Sequence, residues 1–433
     1  MAGPAGAFPA SAAIGAAGGL PESVALAVFS RLSVEERLRA REVSRAWRAA
    51  LETPSEWRDV DTRESAWRHW ARVLSVVARL AAGGMSALRV HLPHRTVEDP
   101  APLDALVDAV RANGAALRVV EVGGCRLTLD DARRVLESAA RLESFGARCH
   151  HGLLNAADAT RLAAALGGEG VFAPLRVRDL DIWLGPPAGE LGPLLDALGR
   201  HRSVRALKVE SFVDVAAAVA VAAAAARAGA ARFTFDDLSA ADVDAGFLTA
   251  LAPLLAGHPV QELQLLFDGG TRLAGAPELA AAVRGCASLT SLQLRAAVFP
   301  PDDTSLLDAL VGHTSLRTMD LQFSVAAGQW PDTRPVCDAL ARLLAARSAL
   351  VHLSLRDAAL EEPELEAVLG GLASPDARLQ SLDLSGDNRF DETRFAARVV
   401  APALLRCDSM REVTLNGGDV ERHINQLLVA GRE

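Results

Sequence analysis

The sequence predicts an α/β solenoid, a stack of short parallel strands each followed by a helix. Three observations predict it. One apolar pattern, L-x-x-L-x-L with a further small or apolar residue beyond it, recurs along most of the 433 residues. Amphipathic stretches at helical spacing separate its copies. No single strand-and-helix segment is long enough to bury its own apolar surface, so neighbours must stack to do so.

Taken in order, residues 1–19 ("MAGPAGAFPASAAIGAAGG") hold no basic residue, and Pro and Gly interrupt their apolar stretch. They read as a disordered leader and not as a signal peptide. From Leu20 to Val60 the pattern is helical. Val24, Val28, Phe29 and Leu32 form one stripe, which Leu38, Val43, Trp47 and Leu51 continue, between the breakers Pro21 and Pro54. A unit of about forty residues is marginal alone, and a partner commonly completes its core. Residues 61–84, which include "DTRESAWRHWARVLSVVARL", read as a connecting helix. Trp57 is expected to lock the preceding unit to it, with Trp67 and Trp70 in the same cluster.

Residues 85–433 carry the repeats. The clearest copies are Leu117/Val120/Val122/Cys125/Leu127, Leu289/Leu292/Leu294/Ala297 and Leu316/Met319/Leu321. Leu350/Leu353/Leu355/Ala358/Leu360, Leu379/Leu382/Leu384 and Met410/Val413/Leu415 follow. Looser copies lie at Leu142/Phe145, Val177/Leu180/Ile182, Val204/Leu207/Val209, Phe233/Phe235 and Val260/Leu263/Leu265, with a weak first one at Met85/Leu88/Val90. About twelve copies therefore recur at intervals of roughly 25–35 residues. Segments such as "PLDALVDAVRANG" and "TLDDARRVLESAARL" lie between them, and several open on Pro or Asp as helix starts do. Alternate strand residues point inward and the helix buries one stripe against them. Helices are wider than strands, so such a stack is expected to curve with its strands on the concave side. The run from Val215 to Ala226 is too short and alanine-rich to span a bilayer and reads as a repeat helix.

The repeats resemble the ribonuclease-inhibitor-like class of leucine-rich repeats, which implies a horseshoe. The segment before them resembles a small all-α F-box. Leu20-Pro21, Val24, Val28-Phe29, Leu32, Leu38, Val43-Ser44-Arg45, Trp47-Arg48, Pro54 and Trp57 hold that register without a gap. The two together resemble the F-box/leucine-rich-repeat proteins. That resemblance implies a substrate-recognition subunit of an SCF-type ubiquitin ligase, with a Skp-type adaptor and a cullin as partners and a target protein held on the repeats. By the same resemblance Leu20, Pro21, Val24, Val28, Phe29 and Leu32 lie on or beneath the adaptor surface, while Val43 and Trp47 hold the helices together and border it. The sequence departs from the family at Ser23, usually acidic, and at Arg37 and Glu42, often leucine. Arg37 and Glu42 could pair on a solvated face; a loss of adaptor binding stays open at this point.

On the strands, the residues between the inward ones form the expected target-binding row: Asp179, Asp181 and Trp183, Lys208, Asp236, Gln293 and Arg295, Asp320, Arg356 and Asp383. Trp183 stands out, because exposed tryptophans anchor interfaces; packing on a neighbouring repeat is its alternative. The aspartates of this row point to a target with basic segments. Trp330 falls in a long inter-repeat loop, "SVAAGQWPDTRP".

Composition narrows the chemistry. A net charge of −9 argues against general nucleic-acid binding. Lys208 is the single lysine, lies in strand-like "RALKVESF" and follows no Gly-rich loop, which disfavours P-loop, Schiff-base and lysine-base enzymes. Five scattered cysteines without a C-x-x-C pair suit reduced thiols. "RCHHG" (Cys149, His150, His151) reads as a surface turn and not as a metal site. No catalytic motif is present, so the expectation is a non-catalytic protein without cofactor, metal or membrane segment, cytoplasmic or nuclear. The other readings are an interaction scaffold with a silent F-box, a GTPase-activating or inhibitor-type repeat protein, and a small-molecule co-receptor. The F-box argues against the GTPase-activating or inhibitor type, and the lack of a basic cluster among the strand residues argues against the co-receptor.

Overall fold

A computed structural model of the chain describes residues 31–43, 57–61, 70–81, 83–91, 101–123, 127–154, 156–184, 191–210, 215–238, 245–267, 276–295, 304–322, 334–346, 349–358, 360–386 and 396–416. Val28, Trp47, Arg48, Leu51, Glu52 and several residues between 421 and 428 are described as well. The leader, Leu20, Pro21, Val24, Phe29, Trp67 and Trp330 lie outside the described residues.

Among the described residues thirteen strands, parallel wherever their pairing is given, alternate with helices in an α/β arrangement. The chain divides into two compact units, residues 1–151 with 161–180 and residues 152–160 with 181–433. In the first, β1 (Asp59–Asp61), β2 (Ala87–His91), β3 (Val119–Gly123) and β4 (Ser144–Leu154) pair in chain order. Val60, Leu88, Val120 and Phe145 face one another across these strands, and none has accessible surface. Strand β1 precedes the first repeat read from the sequence. β5 (Leu175–Leu184) is divided between the units, as is β4, whose Gly152–Leu154 fall in the second.

The second unit holds β6 (Ala206–Glu210), β7 (Arg232–Leu238), β8 (Glu262–Phe267), β9 (Ser291–Arg295), β10 (Thr318–Gln322), β11 (His352–Ser354), β12 (Ser381–Asp383) and β13 (Glu412–Thr414), which pair in chain order. Leu207, Phe233, Leu263, Leu292, Met319, Leu353, Leu382 and Val413 are consecutive partners across them. The central apolar residue of each repeat therefore stacks on its counterpart. Burying each contributes on the order of 1.5–3 kcal/mol.

Polar side chains after the helices fasten one repeat to the last. The Cys286 thiol donates to the Val260 carbonyl oxygen (3.5 Å), and the Cys407 thiol to that of Leu379 (3.7 Å). Ser288 and Ser409 donate to those same two carbonyls at 2.8 Å. Asn113, fully buried, donates to the Ala78 and Ala109 carbonyls and accepts the Met85 N–H. The buried Asn113 amide would otherwise lack partners, at a cost of about 1–3 kcal/mol. Helix starts are fixed locally. Thr128 and Asp131 form a reciprocal capping box on Leu129–Glu137, and Glu361 and Glu364 form one on Glu362–Gly370.

Cys149, His150 and His151 lie within β4 and do not form the expected turn. Phe145, Ala147 and Cys149 are buried at alternate positions, which is strand periodicity, but the small side chains among them hide it in the sequence. Among the described residues no helix is long and apolar enough to cross a membrane, and no His/Cys/Asp/Glu group could hold a metal ion.

Candidate docking surfaces

In the N-terminal segment a helix spans Val34–Val43. Ser33 opens it: its hydroxyl accepts the Glu36 N–H (3.3 Å) and its own N–H donates to the Glu36 carboxylate (2.8 Å). Hydrogen bonds from the Ser33 backbone, and then from its side chain, hold Glu36 below the ordinary carboxylate range. Ala40 and Leu51 form a small buried cluster on which Leu32 and Trp47 pack. Trp57 is fully buried, and its Nε1–H donates to the Leu51 carbonyl oxygen at 2.5 Å, which ties it to the end of the same unit. Arg41 pairs with Glu52 at 2.6 Å.

Of the expected adaptor-facing residues, Leu32 and Trp47 thus come together. Val43 does not join them: it is the last residue of its helix and 68% exposed, so of its two expected roles it does not hold the helices together, while its exposed position is the one that bordering a surface requires. Val28 is also exposed, at 43%. Arg37 donates from Nε to the Leu32 carbonyl oxygen (3.1 Å), and Glu42 is exposed.

On the strands, the side chains between the buried ones form a second row. Across β5, β6 and β7 four of them are linked. The Trp183 Nε1–H donates to Glu210, whose other oxygen lies 2.5 Å from the Lys208 Nζ. That same Nζ lies 2.5 Å from Asp236. Trp183 is 39% exposed, so its polar edge is held and the remainder of the indole is presented outward. Burial acts to lower the Lys208 ammonium, but hydrogen bonds to Asp236 and Glu210 outweigh it and hold the group above its usual value.

Asp181, expected in this outward row, is only 2% exposed. Its carboxylate sits on a short side chain close to the sheet, two residues before the large indole of Trp183, and does not reach solvent. Asp179 remains half-buried in the first unit. Of the aspartates expected to meet basic segments of a target, Asp181 is thus withdrawn by burial and Asp236 is paired with Lys208.

Further along, Gln293 donates from Nε2 to Asp320 at 2.9 Å, and Gln322 to Asp357 at 2.6 Å. Burial pushes Asp320 above the ordinary carboxylate range; Ser354, Arg295 and Gln293 oppose the shift, and the charge of Asp383 adds to it. Arg295 and Arg356 are exposed, with Arg356 3.4 Å from Asp357. Asp383 accepts the Ser385 N–H at 2.9 Å. Sequence reasoning missed Asp357, which holds a left-handed backbone (φ 54°) beside Gly386 (φ 86°). The signal available was the turn residue pair Ser385-Gly386 after the strand.

A family model described as F-box-like matches residues 17–63. Among solved structures the chain is similar to one in the crystal structure of the Rad7 and Elc1 complex in yeast, with 13% sequence identity and a TM-score of 0.48, covering 92% of this chain and 89% of that chain. No curated protein matches the chain.

Proposed function

We propose that this protein is a non-catalytic substrate-recognition subunit of an SCF-type ubiquitin ligase. Its F-box-like segment docks a Skp-type adaptor joined to a cullin, and the outward strand row holds a target protein for ubiquitination. The observation that carries the reading is the F-box-like match at residues 17–63 ahead of a repeat sheet. A unit that small leaves apolar residues outside its own core, Val28 and Val43 among them, and an adaptor would cover them. The repeats contribute binding and positioning, and the bond chemistry belongs to the ubiquitin-loaded conjugating enzyme. Such a subunit works in the cytoplasm or nucleus, without cofactor or metal.

A second reading, an interaction scaffold with a silent F-box, is favoured by one observation. Arg37, at a position where the family often has leucine, spends its guanidinium on the Leu32 backbone and places charge beside the adaptor-facing residues. Co-purification separates the two readings. The intact chain should retain the Skp-type adaptor and a Leu20→Ala/Pro21→Ala variant should lose it; failure of the intact chain to bind supports the scaffold.

A further inference from the structure

We infer that this chain offers no usable lysine acceptor for the ubiquitin that its proposed complex transfers, so that isopeptide bonds form on lysines of the bound target and not on Lys208 of the receptor. The inference rests on the ligase reading above. Of the 45 lysines and arginines, Lys208 alone is a lysine. Ubiquitin transfer requires a neutral amine to attack the thioester carbonyl of the loaded conjugating enzyme. A C–N isopeptide bond forms, the C–S bond breaks, the enzyme's thiol leaves, and the amine's protons pass to a base or to water. Guanidinium groups stay charged and do not serve as that nucleophile.

Lys208 is poorly placed for the attack. Its Nζ lies 2.5 Å from a carboxylate oxygen on each side, Glu210 and Asp236, and its side chain is only 17% exposed. It sits within β6, paired with Thr234 of β7, so it cannot swing out as a loop lysine does. The two carboxylates also favour the ammonium form, which carries no lone pair. An attack would first have to break both ion pairs and then remove a proton. Lys208 also belongs to the row proposed to hold the target, which would cover it further during transfer.

The test is a reconstituted ligase containing the full chain, with ubiquitin remnants mapped by mass spectrometry. The expected result is no remnant on Lys208. Arg111→Lys and Arg398→Lys, which place new amines on exposed helix surfaces, should acquire ubiquitin. A remnant on Lys208 of the intact chain overturns the inference, as does a lack of modification on both new lysines while ubiquitin is being discharged. If the chain fails to enter the complex, the ligase reading fails instead, and a second measurement still tests the concealment of Lys208. Acylation of the free full chain with a water-soluble N-hydroxysuccinimide acetate should modify Lys208 roughly tenfold more slowly in buffer than in urea, because the folded site must open first. Equal rates overturn the inference.

Discussion

The imidazole of His313 donates its Nε2–H to the carbonyl oxygen of Cys286, 3.0 Å away and one repeat earlier, while its Nδ1 accepts the Leu316 N–H at 3.2 Å. The second bond selects the tautomer, since an accepting Nδ1 leaves the proton on Nε2. Both bonds are buried. His313→Ala should therefore strand a carbonyl and an N–H and lower stability by about 1–3 kcal/mol, read as a reduced urea midpoint. An unchanged midpoint would mean that water replaces the ring.

Asp320 carries a pH signature. Its folded value lies above the unfolded one, chiefly through burial and with Asp383 adding to it. The folded state thus binds the proton more tightly. The group's contribution is most favourable below the unfolded carboxylate range and is lost as pH rises through the folded value. Asp320→Asn should be at least as stable as the parent at neutral pH and show a flatter stability profile as pH rises from the ordinary carboxylate range. Denaturant midpoints from that range to neutral pH check it; a variant less stable at neutral pH would show that the charge is favourable on balance.

Two glycines should respond oppositely. A Cβ on Gly371 would lie 2.3 Å from the Ala341 carbonyl oxygen and 2.9 Å from its Cα, backbone atoms that cannot yield without moving a helix. Gly371→Ala should cost about 1–3 kcal/mol by overpacking. At Gly312 no atom beyond its own chain neighbourhood lies within 4 Å of the added carbon and φ is −93°, so Gly312→Ala should stabilise by roughly 0.4–1 kcal/mol through the unfolded chain. Thermal melts of the pair decide it.

The outer edge of β13 is closed by side chains. Asn425 accepts the Val413 N–H (2.9 Å) and donates to the Val413 carbonyl (3.0 Å), and Glu421 accepts the Leu415 N–H (2.9 Å). They occupy the hydrogen-bonding groups that another strand would use. Asn425→Ala should open that edge and raise concentration-dependent association, measured by light scattering. A variant that stays dispersed at the same concentrations would argue that the edge is protected by other means.

The repeat was legible because its inward residues are bulky. Leu292, Met319, Leu353 and Leu382 announce a period that the register then aligns as partners. β1 escaped notice because three residues, Asp59 to Asp61, hold a single apolar side chain, and the end of β4 because its buried positions are Ala147 and Cys149. The outward row was legible as positions but not as an environment. Alternation places Asp181 and Lys208 on a face, but the depth of Asp181 and the two carboxylates around Lys208 depend on neighbouring residues and strands. The exposure of Val43 was equally hidden, since helical spacing says nothing of where a helix stops.

Native mass spectrometry of the intact chain mixed with a Skp-type adaptor reads adaptor docking itself. A one-to-one complex that Val43→Asp weakens is expected. Free chain and free adaptor alone, at concentrations where a known F-box protein binds, would contradict it.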